Sequence, residues 1–163
     1  MQLTQFSVNS TKMEYSQGMK EEITMIQIIA GEKGKGKTKV LLDKVNTEIK
    51  SVAGTSVYLD KNTKHMYELN NKIRLINVND FLVTNYNEFL GFICGIISQD
   101  HDLEIVYLDS FLKIACLTEE NLELVLNKLS EVSNTFHINF VLSISLPKDK
   151  IPSEYQKDII VAL

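Results

Sequence analysis

One stretch of this chain, IQIIAGEKGKGKTKVLL at residues 26–42, constrains the fold more than any other. Its apolar run, Ile26–Ala30, has the length and composition of a buried strand. Three glycines follow within six residues. Leu42 and Val45 then begin an apolar repeat at helical spacing, so a helix is predicted to start near Lys37. The stretch therefore predicts a strand, a glycine loop and a helix in direct succession.

The glycine loop matches the phosphate-binding pattern G-x-x-x-x-G-K-[ST]. Glycines allow backbone angles that are closed to other residues, and they let a ligand approach the main chain. Successive N–H groups then form a concave anion site, and the start of the helix adds partial positive charge. In this pattern Lys37 contacts the outer phosphates as a catalytic group, and the Thr38 hydroxyl binds Mg²⁺. The predicted contact set is Gly31, Glu32, Lys33, Gly34, Lys35, Gly36, Lys37, Thr38 and Lys39.

Composition limits the class of protein. The chain has 163 residues, of which 44% are hydrophobic and 23% charged, which suits one domain with a substantial core. The net charge of −4 argues against a general nucleic-acid or anionic-membrane binder. The longest apolar stretch is too short to span a bilayer, and no signal-peptide pattern is present, so a cytoplasmic location is expected. Cys94 and Cys116 stand in apolar surroundings and are predicted to be buried, reduced thiols.

Strand and helix patterns alternate along the rest of the chain. Residues 1–22 are polar and are predicted to form a disordered or loosely attached arm, whereas residues 23–163 form a single domain. The alternation predicts a three-layer α/β/α fold with a mainly parallel central sheet. Further strands are predicted at 55–60, 73–78, 104–109, 138–144 and 159–163, and further helices at 85–98 and 118–132.

The helix predicted at residues 85–98 is apolar on most of its faces. Gly91 and Gly95 are four residues apart, so they share a face and would allow another backbone to approach closely. Burial against the sheet is one interpretation. The alternative is an interface with a protein partner or with a second copy of the chain.

Two predicted strands end in aspartate, at Asp60 and at Asp109. Ligands of parallel sheets bind at the carboxyl ends of the strands, where both residues and the loop at Gly31 are expected to lie. Asp60 is predicted either to orient a water or an acceptor hydroxyl, as a catalytic residue, or only to cap a turn. His65 lies in the polar segment that follows and is predicted to be a surface histidine, with a contact to base or ribose as the alternative.

A glycine loop followed by a strand that ends in aspartate resembles the P-loop NTPase superfamily over residues 25–163. The chain is similar to small RecA-like or KaiC-like ATPase cores and to stand-alone bacterial ATP-binding proteins loosely described as twitching-motility-ATPase-like. The resemblance implies ATP and Mg²⁺ as ligands, with Asp109 holding the metal opposite Thr38. Ser110 replaces the water-activating glutamate of many such ATPases, which implies slow hydrolysis. The segment after Asp109 lacks the glycine of the GTPase switch motif, so GTP is not expected.

Arg74 is the only arginine in the chain. Phosphoryl-transfer enzymes use arginine to stabilise transition-state charge, so lysines near the loop are either its substitutes or solvated surface groups. The favoured interpretation is a Mg·ATP-binding switch or regulatory module with slow ATPase activity. One alternative is an ATP-using transferase, such as a nucleoside kinase or a corrinoid adenosyltransferase, whose loop resembles K-G-K-G-K-T at residues 33–38. Another is a non-catalytic interaction protein that retains a nucleotide site.

Overall fold

Six parallel strands form the centre of the structure, a computed structural model that describes residues 25–163. The strands lie in the order β3-β2-β4-β5-β1-β6. Their bounds are β1 Ile26–Ala30, β2 Thr55–Asp60, β3 Ile73–Asn77, β4 Leu103–Leu108, β5 Asn139–Ile144 and β6 Ile159–Ala162. The helices are α1 Lys37–Glu48, α2 Tyr86–Gln99, α3 Phe111–Ile114 and α4 Glu119–Phe136. The predicted arm at residues 1–22 lies outside the described residues.

Helices cover both faces of the sheet, which confirms the predicted three-layer fold. Alternate residues of a strand point to opposite faces, and each face has its own hydrophobic core. In β2, Val57 and Leu59 pack with the buried residues of α2, α3 and α4. Tyr58, between them, packs on the other face with residues of α1, as does Tyr107 of β4. Burial on both faces is the reason that these strands read as continuous apolar runs.

Helix α4 forms where its sequence predicts, although it ends at Phe136, four residues beyond the predicted end. Thr118 precedes the helix, and its backbone N–H donates to Asn121 Oδ1 at 2.8 Å. Glu119 and Glu120 occupy the first turn, where the helix dipole favours acidic side chains. One apolar face of the helix is buried, at Leu122, Val125, Leu126 and Leu129.

The prediction of buried thiols is wrong, because Cys94 and Cys116 are both exposed. Cys94 lies on the solvent side of α2. Cys116 follows α3 in a left-handed conformation with φ of 56°. Apolar neighbours in the sequence do not imply that a thiol is buried, because a helix or turn presents adjacent residues in different directions.

Helix α2 is buried against the sheet, as one of the two interpretations predicts, but Gly91 and Gly95 do not lie on the buried face. An added Cβ on either glycine would meet no atom within 4 Å. The helix instead buries a narrow stripe, formed by Phe89, Ile93 and Ile97. No helix within residues 25–163 is both long and apolar enough to cross a membrane.

The strand order decides which carboxyl ends meet. β5 lies between β1 and β4, and β2 lies on the other side of β4. The glycine loop after β1, Ser143 of β5, Asp109 after β4 and Asp60 of β2 therefore follow one another along the same edge of the sheet. A candidate site is assembled there from four strands that are distant in sequence.

Candidate functional site

Two of the loop glycines adopt left-handed backbone conformations. Gly34 has φ of 85° and Gly36 has φ of 92°. This region costs other L-residues roughly 1–2 kcal/mol. An added Cβ at either position would meet nothing within 4 Å, so the backbone angle and not the available space favours glycine.

Gly31 has a different structural role. Its N–H donates to the carbonyl oxygen of Ile144 at 3.3 Å. A Cβ on Gly31 would lie 3.0 Å from the Cβ of Leu163 and 3.1 Å from its carbonyl oxygen. Glycine is therefore needed here for close packing against the segment that follows β6.

Lys37 is folded back into the loop that precedes it. The side chain is only 7% exposed, and Nζ donates to the backbone carbonyl oxygen of Glu32 at 2.8 Å. Burial lowers the pKa of Lys37, and the nearby charge of Asp109 opposes this by raising it. A neutral carbonyl oxygen is a weak partner for a buried ammonium group, so the loop has the electrostatic character of an anion site.

Asp109 is the centre of the hydrogen-bond network. Its side chain is buried, and Oδ1 accepts from Thr38 Oγ1 at 3.2 Å, from Ser143 Oγ at 2.6 Å and from the Ser110 N–H at 2.8 Å. Oδ2 accepts from the Tyr58 hydroxyl at 2.8 Å. Burial raises the pKa of Tyr58, and Asp109 raises it further, which keeps the phenol protonated as a donor. These bonds fix the carboxylate directly opposite the glycine loop.

Asp60 both caps a turn and faces this network. Its Oδ1 accepts from the Lys61 N–H at 2.6 Å, as the turn-capping interpretation predicts. Burial raises the pKa of Asp60, and the charge of Asp109 raises it further. One carboxylate oxygen of Asp60, one of Asp109 and one ring nitrogen of His65 all lie within 4.8 Å of one another. His65 is therefore part of the site and not merely a surface histidine.

Three lysines besides Lys37 line a cavity of about 440 Å³ above the glycine loop. Lys33 belongs to the loop, Lys61 follows β2 and Lys113 lies on α3. Contact with the Lys61 ammonium lowers the pKa of Lys113, and the charge of Lys33 adds to the effect. Clustered ammonium groups repel one another, so an anion in the cavity would relieve this repulsion. The lone arginine, Arg74, is exposed on β3 and does not line the cavity.

The structure brings most of the predicted site residues together. Lys35 is exposed and does not line the cavity, and Lys39 lines a separate groove shared with His65. Glu32 contributes only its carbonyl oxygen, to Lys37. The predicted residues that line the cavity are Lys33, Gly34, Gly36, Lys37, Thr38 and Asp109.

Sequence reasoning missed three contributors: Tyr58, Lys61 and Lys113. Tyr58 lies in an apolar strand pattern, which indicates a core residue and hides the polar end of its ring. The proximity of Lys61 to Asp60 in sequence was a usable signal. No spacing in the sequence indicates that Lys113 approaches Lys61, because their meeting depends on the pairing of β2 with β4.

The residues present fit a magnesium ion with a polyphosphate. Thr38 and Asp109 offer hydroxyl and carboxylate oxygens, the ligands that Mg²⁺ prefers. The open space above Gly34 and Gly36 leaves room at the main chain, where phosphate oxygens bind N–H groups. A cavity of about 440 Å³ is within the usual size range of small-molecule sites.

The chain matches no protein-family model, and a search of curated proteins gives no match. The residues and contacts of the site are therefore the basis for assigning a function.

Proposed function

We propose that this protein binds Mg·ATP at the loop of residues 31–38, hydrolyses it slowly, and acts as a nucleotide-dependent switch. One observation carries the proposal. A glycine loop with left-handed Gly34 and Gly36 lies between β1 and α1, and the first turn of α1 carries Thr38, whose hydroxyl donates to Asp109. This is the chemistry that the phosphate-binding pattern requires at these positions.

Each group of the loop has a specific role in binding. The N–H groups around Gly34 and Gly36 would donate to phosphate oxygens, and Lys37 would exchange the Glu32 carbonyl oxygen for a phosphate oxygen. Thr38 and Asp109 would hold Mg²⁺, which when bound supplies positive charge to the phosphate oxygens. Lys61 and Lys113 would add positive charge on the opposite side of the cavity, where this chain has no arginine.

Slow hydrolysis follows from the groups available to activate water. Ser110 follows Asp109 and has no basic group. Asp60 is a second carboxylate beside Asp109, and its raised pKa makes it a better proton acceptor than an ordinary surface aspartate. No described arginine lines the cavity, so transition-state charge would depend on lysines, which bind phosphate as point charges. We therefore expect turnover well below that of arginine-assisted NTPases.

A switch needs a connection between the nucleotide site and the surface. The segment of residues 61–68 supplies one, because it begins at the cavity with Lys61 and continues past His65 to exposed apolar side chains. Met66 is 48% exposed and Tyr67 is 91% exposed. A change in the contacts of Lys61 or Asp60 on hydrolysis would be passed to this surface.

The test is ATP binding and hydrolysis, measured side by side with and without Mg²⁺. Lys37→Ala removes a charge-assisted hydrogen bond of about 1.5–3 kcal/mol, so ATP affinity should fall roughly 10- to 100-fold. Lys50→Ala, at an exposed position after α1, removes the same charge outside the site and should bind ATP as the wild type does.

The outcomes separate the candidate functions. Binding and slow turnover that both depend on Lys37 would support the switch. Phosphate release only with an added small acceptor would indicate the transferase, and thermal stabilisation by Mg·ATP without any turnover would indicate the non-catalytic interaction protein. Absence of Mg²⁺-dependent ATP binding by the wild type would refute the proposal. Parallel measurements with GTP test the base preference.

A further inference from the structure

We propose that Asp60, His65 and Asp109 form a binding site for a divalent first-row transition-metal ion, and that this site does not require nucleotide. The three residues lie on β2, in the segment after it and after β4. One potential ligand atom of each lies within 4.8 Å of the other two. A small movement of the side chains would bring two carboxylates and an imidazole at this spacing to one ion, since ligand bonds are about 2.0–2.2 Å.

Asp60 supplies an observation that itself points to a ligand. Its side chain is only 2% exposed. Oδ1 accepts from the Lys61 N–H, whereas Oδ2 accepts no hydrogen bond from any residue in the described range 25–163. This oxygen is free to accept a ligand, and a second carboxylate lies beside Asp60, so the two negative charges repel each other. A cation between Asp60 and Asp109 would satisfy the oxygen and remove the repulsion.

His65 is paired with a carboxylate through one of its ring nitrogens. Its Nδ1 lies 2.8 Å from Oε1 of Glu68, and the histidine side chain is only 21% exposed. When Nδ1–H donates to this carboxylate, Nε2 has a free lone pair, and the orientation of the ring is fixed. Pairing of the second ring nitrogen with a carboxylate is characteristic of metal-binding histidines.

Asp109 has an oxygen available for a second cation. Oδ1 accepts from Thr38, Ser143 and Ser110, but within residues 25–163 Oδ2 accepts only from Tyr58. A carboxylate oxygen has two lone pairs, so Oδ2 can bind an ion and keep the tyrosine. Binding through Oδ2 would place this ion apart from the position opposite Thr38 that suits Mg²⁺.

The donor set selects the class of ion. Imidazole suits first-row transition metals, whereas Mg²⁺ and Ca²⁺ prefer oxygen ligands alone. The positive charges of Lys37 and Lys61 act on Asp109 and Asp60 and disfavour a loosely held cation. Direct coordination by all three residues is therefore required. A bound ion would join residues 61–68 to the end of β4 beside the phosphate cavity.

The test is Mn²⁺ titration of the full, nucleotide-free and Mg²⁺-free chain, with free Mn²⁺ measured by electron paramagnetic resonance. We expect one saturable site that a tenfold excess of Mg²⁺ does not empty. His65→Ala should weaken Mn²⁺ binding at least about tenfold, and Glu68→Gln about 10- to 100-fold through loss of ring orientation. His101→Ala, an exposed histidine outside the site, should leave Mn²⁺ affinity unchanged.

Asp60→Asn provides a second, nearly isosteric variant, and circular dichroism of each variant verifies folding. Asp60→Asn and His65→Ala should each weaken Mn²⁺ binding. Absence of saturable Mn²⁺ binding by the wild type would overturn the proposal, as would wild-type affinity in both variants. Nucleotide is absent throughout, so failure to bind Mn²⁺ would not contradict the ATP proposal. Failure to bind ATP would likewise not change the interpretation of the Mn²⁺ titration.

Discussion

Tyr58→Phe tests whether a buried phenol holds Asp109 in place. The Tyr58 side chain has no exposed surface, and its hydroxyl donates to Asp109 Oδ2 at 2.8 Å. Phenylalanine keeps the ring in its core and removes only the donor. Asp109 Oδ2 is then left without a hydrogen bond from any residue in the range 25–163.

The expected loss in the free energy of unfolding follows from that single bond. Hydrogen bonds to charged groups contribute about 1.5–3 kcal/mol, and water cannot easily replace a donor at a position with no exposed surface. We therefore expect Tyr58→Phe to destabilise the nucleotide-free, metal-free protein by about 1.5–3 kcal/mol. Equilibrium unfolding in urea at pH 7 measures this as a lower midpoint with an unchanged slope.

Tyr107→Phe is the matched control. Tyr107 belongs to the same core, its ring centroid lies 6.4 Å from that of Tyr58, and its hydroxyl donates to Glu48 Oε2 at 2.7 Å. The Glu48 side chain is 30% exposed and is also paired with Lys44, so water and Lys44 can compensate. The expected loss is about 0.5–1.5 kcal/mol, the usual net value of one hydrogen bond.

Two results would refute this reasoning. The first is a loss for Tyr58→Phe that is no larger than the loss for Tyr107→Phe. The second comes from a double-mutant cycle with Asp109→Asn. If the hydroxyl acts through Asp109, the two substitutions should couple by about 0.5–3 kcal/mol, whereas additivity within about 0.5 kcal/mol would mean that they act independently.

Two further predictions concern the backbone and the thiols. Gly36→Ala should destabilise the protein by about 1–2 kcal/mol, because φ of 92° is strained for alanine. Gly91→Ala should stabilise it by about 0.5–1 kcal/mol, because residue 91 lies within a helix with open space around an added Cβ. Urea unfolding of both variants measures the difference, and changes of the same sign would contradict it. Native protein should show Cys94 and Cys116 reacting with a thiol reagent such as DTNB without denaturant; protection of either thiol would contradict its observed exposure.

Local structure was largely predictable from the residues. The bounds of β1, Ile26–Ala30, and of β2, Thr55–Asp60, agree with the predicted ones. The start of α1 at Lys37 agrees as well, because left-handed glycines and a helical repeat act over a few neighbouring residues. Helix α3 was missed, since its four residues are too few to show a helical period.

Burial of particular residues was less predictable. Cys94, Gly91 and Gly95 lie in an apolar helix, yet all three face solvent. The hydrophobic content of α2 predicted that the helix packs against something. Which stripe it buries depends on the orientation of the helix against the sheet, and that is set by distant residues of the core.

The candidate site likewise has a part that was predictable from the sequence and a part that was not. Local sequence patterns predicted an anion site with a nearby metal ligand. These patterns are the glycine loop, Lys37, Thr38 and the two aspartates that end strands. Their assembly depended on the strand order, which places β5 between β1 and β4 and pairs β2 with β4. That order alone brings Tyr58 to Asp109 across 51 residues and His65 to both carboxylates. Contacts of this kind arise from the packing of the whole sheet, so no short stretch of sequence contains them.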